Sequence, residues 1–149
     1  MTLLKLQRGF NLVEVLIALI IMSVGMLGIA GLYVQSLQAG RTSMFRHNAI
    51  TLAGDVADRI RANPMGGAAY TNTGLDGGCI AGIKNCTAGE MARHDVLLWE
   101  QQAAATLPNG RVVITHFDTE TPPEFSIVVQ WEEPGETPQY EIRIPVMEM

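Results

Sequence analysis

An apolar run of 25 residues, Phe10 to Val34, is the feature that most constrains this chain. A helix rises about 1.5 Å per residue, so the run reaches about 37 Å, more than the roughly 30 Å hydrocarbon core of a bilayer. The run is too long for the apolar part of a secretory signal, and no small-residue cleavage site follows it. It therefore predicts a single membrane-spanning helix that stays in the protein.

Charge on the N-terminal side of the run predicts its orientation. Lys5 and Arg8 lie there with no acidic residue beside them, and flanking positive charge favours the cytoplasmic side. We therefore expect the N-terminus in the cytoplasm and residues after about Gln35 outside the cytoplasmic membrane. The chain carries a net charge of −5 and no basic block, so no nucleic-acid partner is expected.

The helical pattern continues past the apolar run, because no proline occurs from Gln35 to Ala62. Asp55 and Arg59 are four residues apart and can pair weakly on one face. Asn63-Pro64 predicts the end of the helix. We expect one helix of about fifty residues, with a membrane half at 10–34 and an amphipathic half at 35–63. The apolar stripe of the second half has spacings of four, three, four and four, at Phe45, Ala49, Leu52, Val56 and Ile60.

Residues 64–110 are predicted to form a glycine-rich loop followed by a short helix. Seven glycines between Pro64 and Gly89 indicate a loose segment rather than a packed element. Thr87 and Glu90 have the spacing of a capping box, which predicts the start of a helix that continues to about Thr106.

Cys79 and Cys86 are the only cysteines, and six residues separate them. Both follow the predicted membrane helix, so we expect them in the periplasm, where thiols are oxidised. The interpretation is a disulfide that closes a short loop. Free thiols or an intermolecular link are the alternatives.

Three segments that alternate with period two predict an antiparallel sheet over 111–149. They are "RVVITHF", "EFSIVVQW" and "YEIRIPV", and proline-containing turns separate them. Each has one apolar face, which the amphipathic half of the long helix can cover. The expected class is α+β.

The N-terminal residues resemble the class III signal peptide of type IV pilins. In that family a short basic leader ends in glycine, here Gly9, followed by phenylalanine, here Phe10, and a glutamate, here Glu14. Asn11 departs from the commoner serine or threonine. The resemblance implies the type IV pilin fold, removal of residues 1–9 by a prepilin peptidase, and methylation of the new Phe10 amine.

Glu14 is costly in a bilayer, by about 2.5 to 3.5 kcal/mol at the bilayer centre and less near an interface. The helix N-terminus favours an anion, and the carboxylate can pair with the Phe10 amine of its own chain or of a neighbouring subunit. We expect that pair to fix the register of one subunit on the next. A glutamate that merely extends to the membrane interface is the alternative.

Three further blocks resemble the PilV-type minor pilins, or type IV pilus modification proteins. They are "SVGMLGIAGL" at 23–32, "DVADRIRANP" at 55–64 and "CTAGEMARHDVLLWEQQAAATLPNG" at 86–110. The resemblance implies a single-pass inner-membrane protein with a periplasmic domain, which enters the pilus with other minor pilins and the major pilin. It implies a role in pilus biogenesis, twitching motility and adhesion, with a tip adhesin as a further candidate partner. The membrane half of the helix contains three glycines, Gly25, Gly28 and Gly31. They either form a point where the helix unwinds on assembly or allow close packing of helices in the membrane.

Other functions have less support in the sequence. A minor pseudopilin of a type II secretion system shares the leader, Phe10, Glu14 and the fold. A single-pass membrane enzyme would not explain Gly9-Phe10, and no catalytic motif is present, so no enzyme activity and no cofactor are expected.

Metal binding is not expected either. The three histidines, His47, His94 and His116, are far apart and lack ligand spacing. We interpret His94-Asp95 as ordinary helix-surface residues. Four glutamates near the C-terminus are interpreted as a solvated acidic rim, and a calcium site is the alternative. They are Glu132, Glu133, Glu136 and Glu141.

Overall fold

The computed structural model describes residues 9–80 and 85–146. Its contacts divide the chain into two compact units, Met1–Arg41 and Thr42–Met149. Helix α1 extends over Leu12–Ala62. Every described residue up to Arg41 is exposed, and by length and composition α1 is the one helix in the described ranges that could cross a membrane. Lys5 and Arg8, which predict the orientation, lie outside the described residues.

The second unit has one hydrophobic core, and α1 supplies a stripe of it. Ala49, Leu52, Val56 and Ile60 are at most 2% exposed, and Phe45 packs against them partly buried. This confirms the predicted amphipathic stripe. The same cluster contains residues of a second helix and of the sheet, so the stripe covers the core of the domain that follows it.

Helix α2 extends over Ala88–Thr106 and begins with the predicted capping box. The Glu90 amide donates to the Thr87 hydroxyl at 3.3 Å, and the Thr87 amide donates to the Glu90 carboxylate at 2.9 Å. These two bonds satisfy donors that the helix itself leaves unpaired. The core face of α2 consists of Ala92, Val96, Trp99 and Ala103.

Three strands form an antiparallel sheet in the order β1-β2-β3. They are β1 (Arg111–Phe117), β2 (Glu124–Gln130) and β3 (Gln139–Pro145). The predicted meander is thus confirmed, and Ile127 of β2 lies opposite Ile114 and Ile142 of its neighbours. The long helix, the small sheet and the extra helix together confirm the α+β class.

The glycine-rich segment is better packed than the sequence indicated. Pro64–Thr71 forms 3₁₀ turns with a kink at Gly67, and Tyr70 within this segment is 1% exposed. A Cβ on Gly66 would come within 2.6 Å of the Tyr70 ring and 2.9 Å of the Asn63 amide nitrogen. The prediction of a loose segment was wrong here, because this glycine permits close packing rather than mobility.

Candidate functional site

Gly9, Phe10 and Glu14, which the sequence assigns to a prepilin leader motif, lie at the start of α1. Gly9 and Phe10 precede the helix and are exposed, with Phe10 85% exposed. The amide groups of Glu14 and Val15 both donate to the Asn11 carbonyl, at 3.0 and 3.3 Å. Glu14 is the acidic residue of the first turn, where unpaired amides of the helix favour a carboxylate. This geometry leaves both Phe10 and Glu14 accessible to another molecule.

The cysteines close a loop next to α2. Cys79 and Cys86 are joined by a disulfide, with their Cα atoms 5.7 Å apart. Residues 81–84 within this loop lie outside the described residues. Before the loop, the Asp76 carboxylate accepts a hydrogen bond from the Gly78 amide at 2.9 Å, and Gly78 has a φ of +68°. Glycine adopts that left-handed conformation without strain.

Two contacts attach the segment before the disulfide to α2. The Leu75 amide donates to the Arg93 carbonyl at 3.0 Å. Gly74 packs so closely on the backbone of Leu97 that a Cβ would overlap it. The disulfide therefore closes a loop whose preceding segment is held on the folded unit.

His94 and Asp95 are buried, at 6% and 5% exposure. The interpretation of these two as helix-surface residues was wrong. Their positions on α2 are covered by segments distant in sequence: the His94 ring lies 3.4 Å from the Asp76 carboxylate, and Asp95 pairs with Arg59 at 2.9 Å. The two side chains thus face different residues, and the structure gives them no contact with each other as a catalytic dyad.

A polar network joins α1 to α2 beside the core. The Trp99 indole donates to Asp55 at 3.0 Å, and the Arg59 guanidinium donates to Asp95 at 2.9 Å. Arg59 also lies 3.3 Å from Asp55, which is the pairing that the sequence predicted. Burial disfavours the charge on Arg59, but Asp55 and Asp95 outweigh it and raise the pKa of Arg59. Each buried polar group of this network has a partner, as stability requires.

Tyr70 lies at the centre of the aromatic part of the core. Its ring stacks on Trp99 with centroids 5.8 Å apart and meets Phe125 edge-on at 6.2 Å. The Asn63 amide donates to the Tyr70 hydroxyl at 3.1 Å. Burial raises the pKa of Tyr70, and the Asn63 hydrogen bond partly opposes that shift.

The acidic end is not a single cluster of carboxylates. Glu132 accepts from Asn109 at 2.7 Å, and Glu133 accepts from Thr42 at 2.6 Å. Glu141 pairs with Arg143 at 3.0 Å. Within residues 9–80 and 85–146, no group of three or more histidine, cysteine or acidic residues could hold a metal ion.

Two family models match the chain. The type IV pilin Tt1218 model (Tt1218-like) matches residues 31–97, and the prokaryotic N-terminal methylation motif matches residues 4–30. No curated protein matches the chain, and no solved structure does. The two matches together support a type IV pilin that carries an N-methylation motif. The arrangement of helices and sheet is consistent with the type IV pilin fold.

Proposed function

We propose that this chain is a PilV-type minor pilin that helps to start assembly of the type IV pilus. The observation that carries the proposal is the methylation motif at 4–30, which contains Gly9, Phe10 and Glu14 and is followed directly by the pilin match at 31–97. The finer, PilV-type assignment rests on the resemblance of the blocks that start at Ser23, Asp55 and Cys86.

Processing is the first step of the proposed function. A prepilin peptidase hydrolyses the peptide bond between Gly9 and Phe10, and the new α-amine of Phe10 is methylated. An α-amine ordinarily titrates at about 7.7–8.0, so it is mostly cationic at neutral pH. The exposed positions of Gly9 and Phe10 before the helix suit access by the peptidase.

Pairing of charges is the second step. Glu14 lies four residues after the new cationic amine and is exposed on the apolar helix. In the dry interior of a helix bundle, an unpaired carboxylate is unfavourable, and the amine of a neighbouring subunit can neutralise it. The pair then sets the axial register between subunits, which are other minor pilins and the major pilin.

The proposed location follows from the apolar helix. The span holds the subunit in the inner membrane with its N-terminus in the cytoplasm, and the unit from Thr42 onward lies in the periplasm. On assembly the subunit moves into the pilus. The subunit then supports pilus biogenesis, twitching motility and adhesion. It does so by increasing the number of pili or by holding an adhesin at the pilus tip.

The test is purification of sheared pili from cells that express the tagged chain. We expect mass spectrometry of the pilus fraction to find the chain without residues 1–9, with a methyl group on Phe10, at a small fraction of the copy number of the major pilin. Gly9→Val should leave the leader attached and remove the chain from pili.

Deletion of the chain separates the proposal from its main alternative. A minor pilin predicts few surface pili and normal secretion of folded enzymes. Normal piliation with lost secretion would instead identify a pseudopilin of a type II secretion system. A mature chain that retains residues 1–9 would contradict both functions.

A further inference from the structure

The outer edge of β1 carries backbone groups that the sheet does not use. The Trp131 amide donates to the Pro138 carbonyl at 3.1 Å and extends the β2–β3 register by one pair. The backbone amide and carbonyl groups of successive residues in a strand point to opposite sides. In β2, those of odd-numbered residues therefore hydrogen-bond to β3, and those of even-numbered residues hydrogen-bond to β1. In the β1–β2 register, the amide and carbonyl groups of Val112, Ile114 and His116 then point away from the sheet.

A groove runs along this edge. It encloses about 200 Å³, and its lining includes Val112, Val113 and Ile114 of β1, the segment Tyr70–Thr73, and Val96 and Glu100 of α2. Successive side chains of a strand point to opposite faces, so three consecutive lining residues place the groove at the edge of β1 rather than on one face. Its volume is below the roughly 300–1,000 Å³ of pockets for small molecules.

The segment Tyr70–Thr73 lines the groove without pairing with β1. Among the residues that the structure describes, no backbone hydrogen bond joins the two. Glu100 is the charged residue of the lining, and within 9–80 and 85–146 its carboxylate has no hydrogen bond or ion pair. The groove thus offers unpaired backbone groups of a strand and one unpaired negative charge.

The opposite edge of the sheet is protected. By the same alternation, the outward backbone positions of β3 are its odd-numbered residues, and the last of these is Pro145, which has no amide hydrogen. Glu141 and Arg143 form an ion pair on that edge at 3.0 Å. Proline and charge are the usual means of preventing strand addition, and β1 lacks them at Val112 and Ile114.

We propose that the β1 groove accepts an extended segment of a partner protein as a fourth strand, with a basic side chain of that segment against Glu100. Unpaired strand amides and carbonyls at regular spacing are the chemistry that recognises an extended backbone, and the carboxylate selects a cation. This surface goes beyond the proposed pilin function and does not depend on it.

Hydrogen–deuterium exchange of the full mature protein in detergent micelles, read residue by residue by NMR, tests the proposal. The probes are two seven-residue peptides of alternating valine and threonine, with either lysine or glutamate at the centre. The lysine peptide should slow exchange at Val112 and Ile114 and bind about fivefold more tightly than the glutamate peptide. Glu100→Lys should reverse this preference, and it leaves the core unchanged.

Val112→Pro removes one outward amide without removing a bond to β2, so it should weaken binding of the lysine peptide by about tenfold. Val112→Ala is the matched control, since it trims the same side chain and keeps the amide. Equal binding by the two variants would overturn the proposal. The proposal would also be overturned if neither peptide changed hydrogen exchange, or if exchange slowed at β3 instead of β1. Slowed exchange at Val112 that depended on protein concentration in the absence of peptide would assign the groove to a second copy of the chain, and would likewise overturn the proposal.

Discussion

The two units of the chain contain parts of one helix, α1, and stabilise them differently. Before Arg41, every described residue is exposed, including large apolar ones such as Leu19 at 58% and Ile21 at 68%. After Thr42, the inward stripe of the same helix is buried, with Leu52 at 1%. The secondary structure is the same, but only the second part is covered by its own chain.

This difference separates two kinds of consequence. Apolar surface that the chain leaves exposed must be buried by lipid or by neighbouring subunits, because exposing it to water costs about 25 cal/mol per Å². Substitutions in the first unit should therefore change insertion and assembly. Substitutions in the second unit should change the free energy of unfolding. Trp99 and Trp131, the two tryptophans, both lie in the second unit, so their fluorescence reports its unfolding alone.

The largest effect is expected from Glu14→Ala in the first unit. Loss of one member of the proposed Glu14–amine pair would leave the other charge uncompensated in a dry bundle. We therefore expect incorporation into pili to fall more than about tenfold, with normal levels in the membrane. Quantitative blotting of sheared pili and of membranes measures both. Glu136→Ala removes an exposed carboxylate of the second unit and is the matched control. If the two variants enter pili equally, Glu14 has no role in assembly.

Leu52→Ala should have the largest effect on stability. Loss of a buried leucine side chain leaves a cavity and costs about 2–5 kcal/mol of the free energy of unfolding. Leu37→Ala removes the same atoms from an exposed position in the first unit and should leave the tryptophan-detected unfolding midpoint unchanged. A similar loss for both variants would show that the two parts of α1 are not stabilised independently.

Cys79→Ser should destabilise the second unit by about 2.5 kcal/mol on the chain-entropy account of so short a loop. Denaturant unfolding measures the loss, and limited proteolysis should then cut within 79–86. The unreduced parent protein should show no reactive thiol and no disulfide-linked dimer after denaturation. Two reactive thiols in protein taken from the periplasm would disprove the bond.

Trp99→Phe should cost about 1–3 kcal/mol, because it removes the indole hydrogen bond to Asp55 and leaves space where the larger ring is buried. Denaturation followed by circular dichroism measures this loss, since one of the tryptophan reporters is removed. Asp58→Ala breaks the exposed Asp58–Arg61 pair and should change stability by less than about 0.5 kcal/mol. A comparable effect of both changes would mean that the α1–α2 network contributes no more than a surface ion pair.

The smallest effect is expected at alkaline pH. Burial raises the pKa of Tyr70 above its ordinary value of 10.0, so the unfolded chain loses this proton before the folded protein does. The contribution to stability is present below pH 10 and is lost as pH rises through the folded pKa. Tyr70→Phe should flatten this part of the stability profile, measured by denaturant unfolding at stepwise pH. An unchanged slope above pH 10 would contradict a buried, protonated Tyr70.

Features with a local signature could be predicted from the sequence. The stripe from Phe45 to Ile60, the Thr87–Glu90 capping box and the three strands depend on periodicities and spacings of a few residues, and the structure has all of them. Asp55 and Arg59 could be paired because four residues separate them on one helix. Asp95 and Trp99 are also four residues apart, so the sequence could place them on one face of α2. The sequence does not show which segment of the chain packs against that face.

The sequence by itself therefore determined the elements of this protein: an apolar helix with a carboxylate near its start, an amphipathic continuation, a capped helix and an alternating sheet. Only the tertiary structure decided that His94 and Asp95 are buried, that Gly66 serves packing against Tyr70, and that Trp99 donates to Asp55. The physical reason is the distance along the chain over which each effect acts. Periodicity and capping act between neighbours along the chain, whereas burial depends on which distant segment covers a given face.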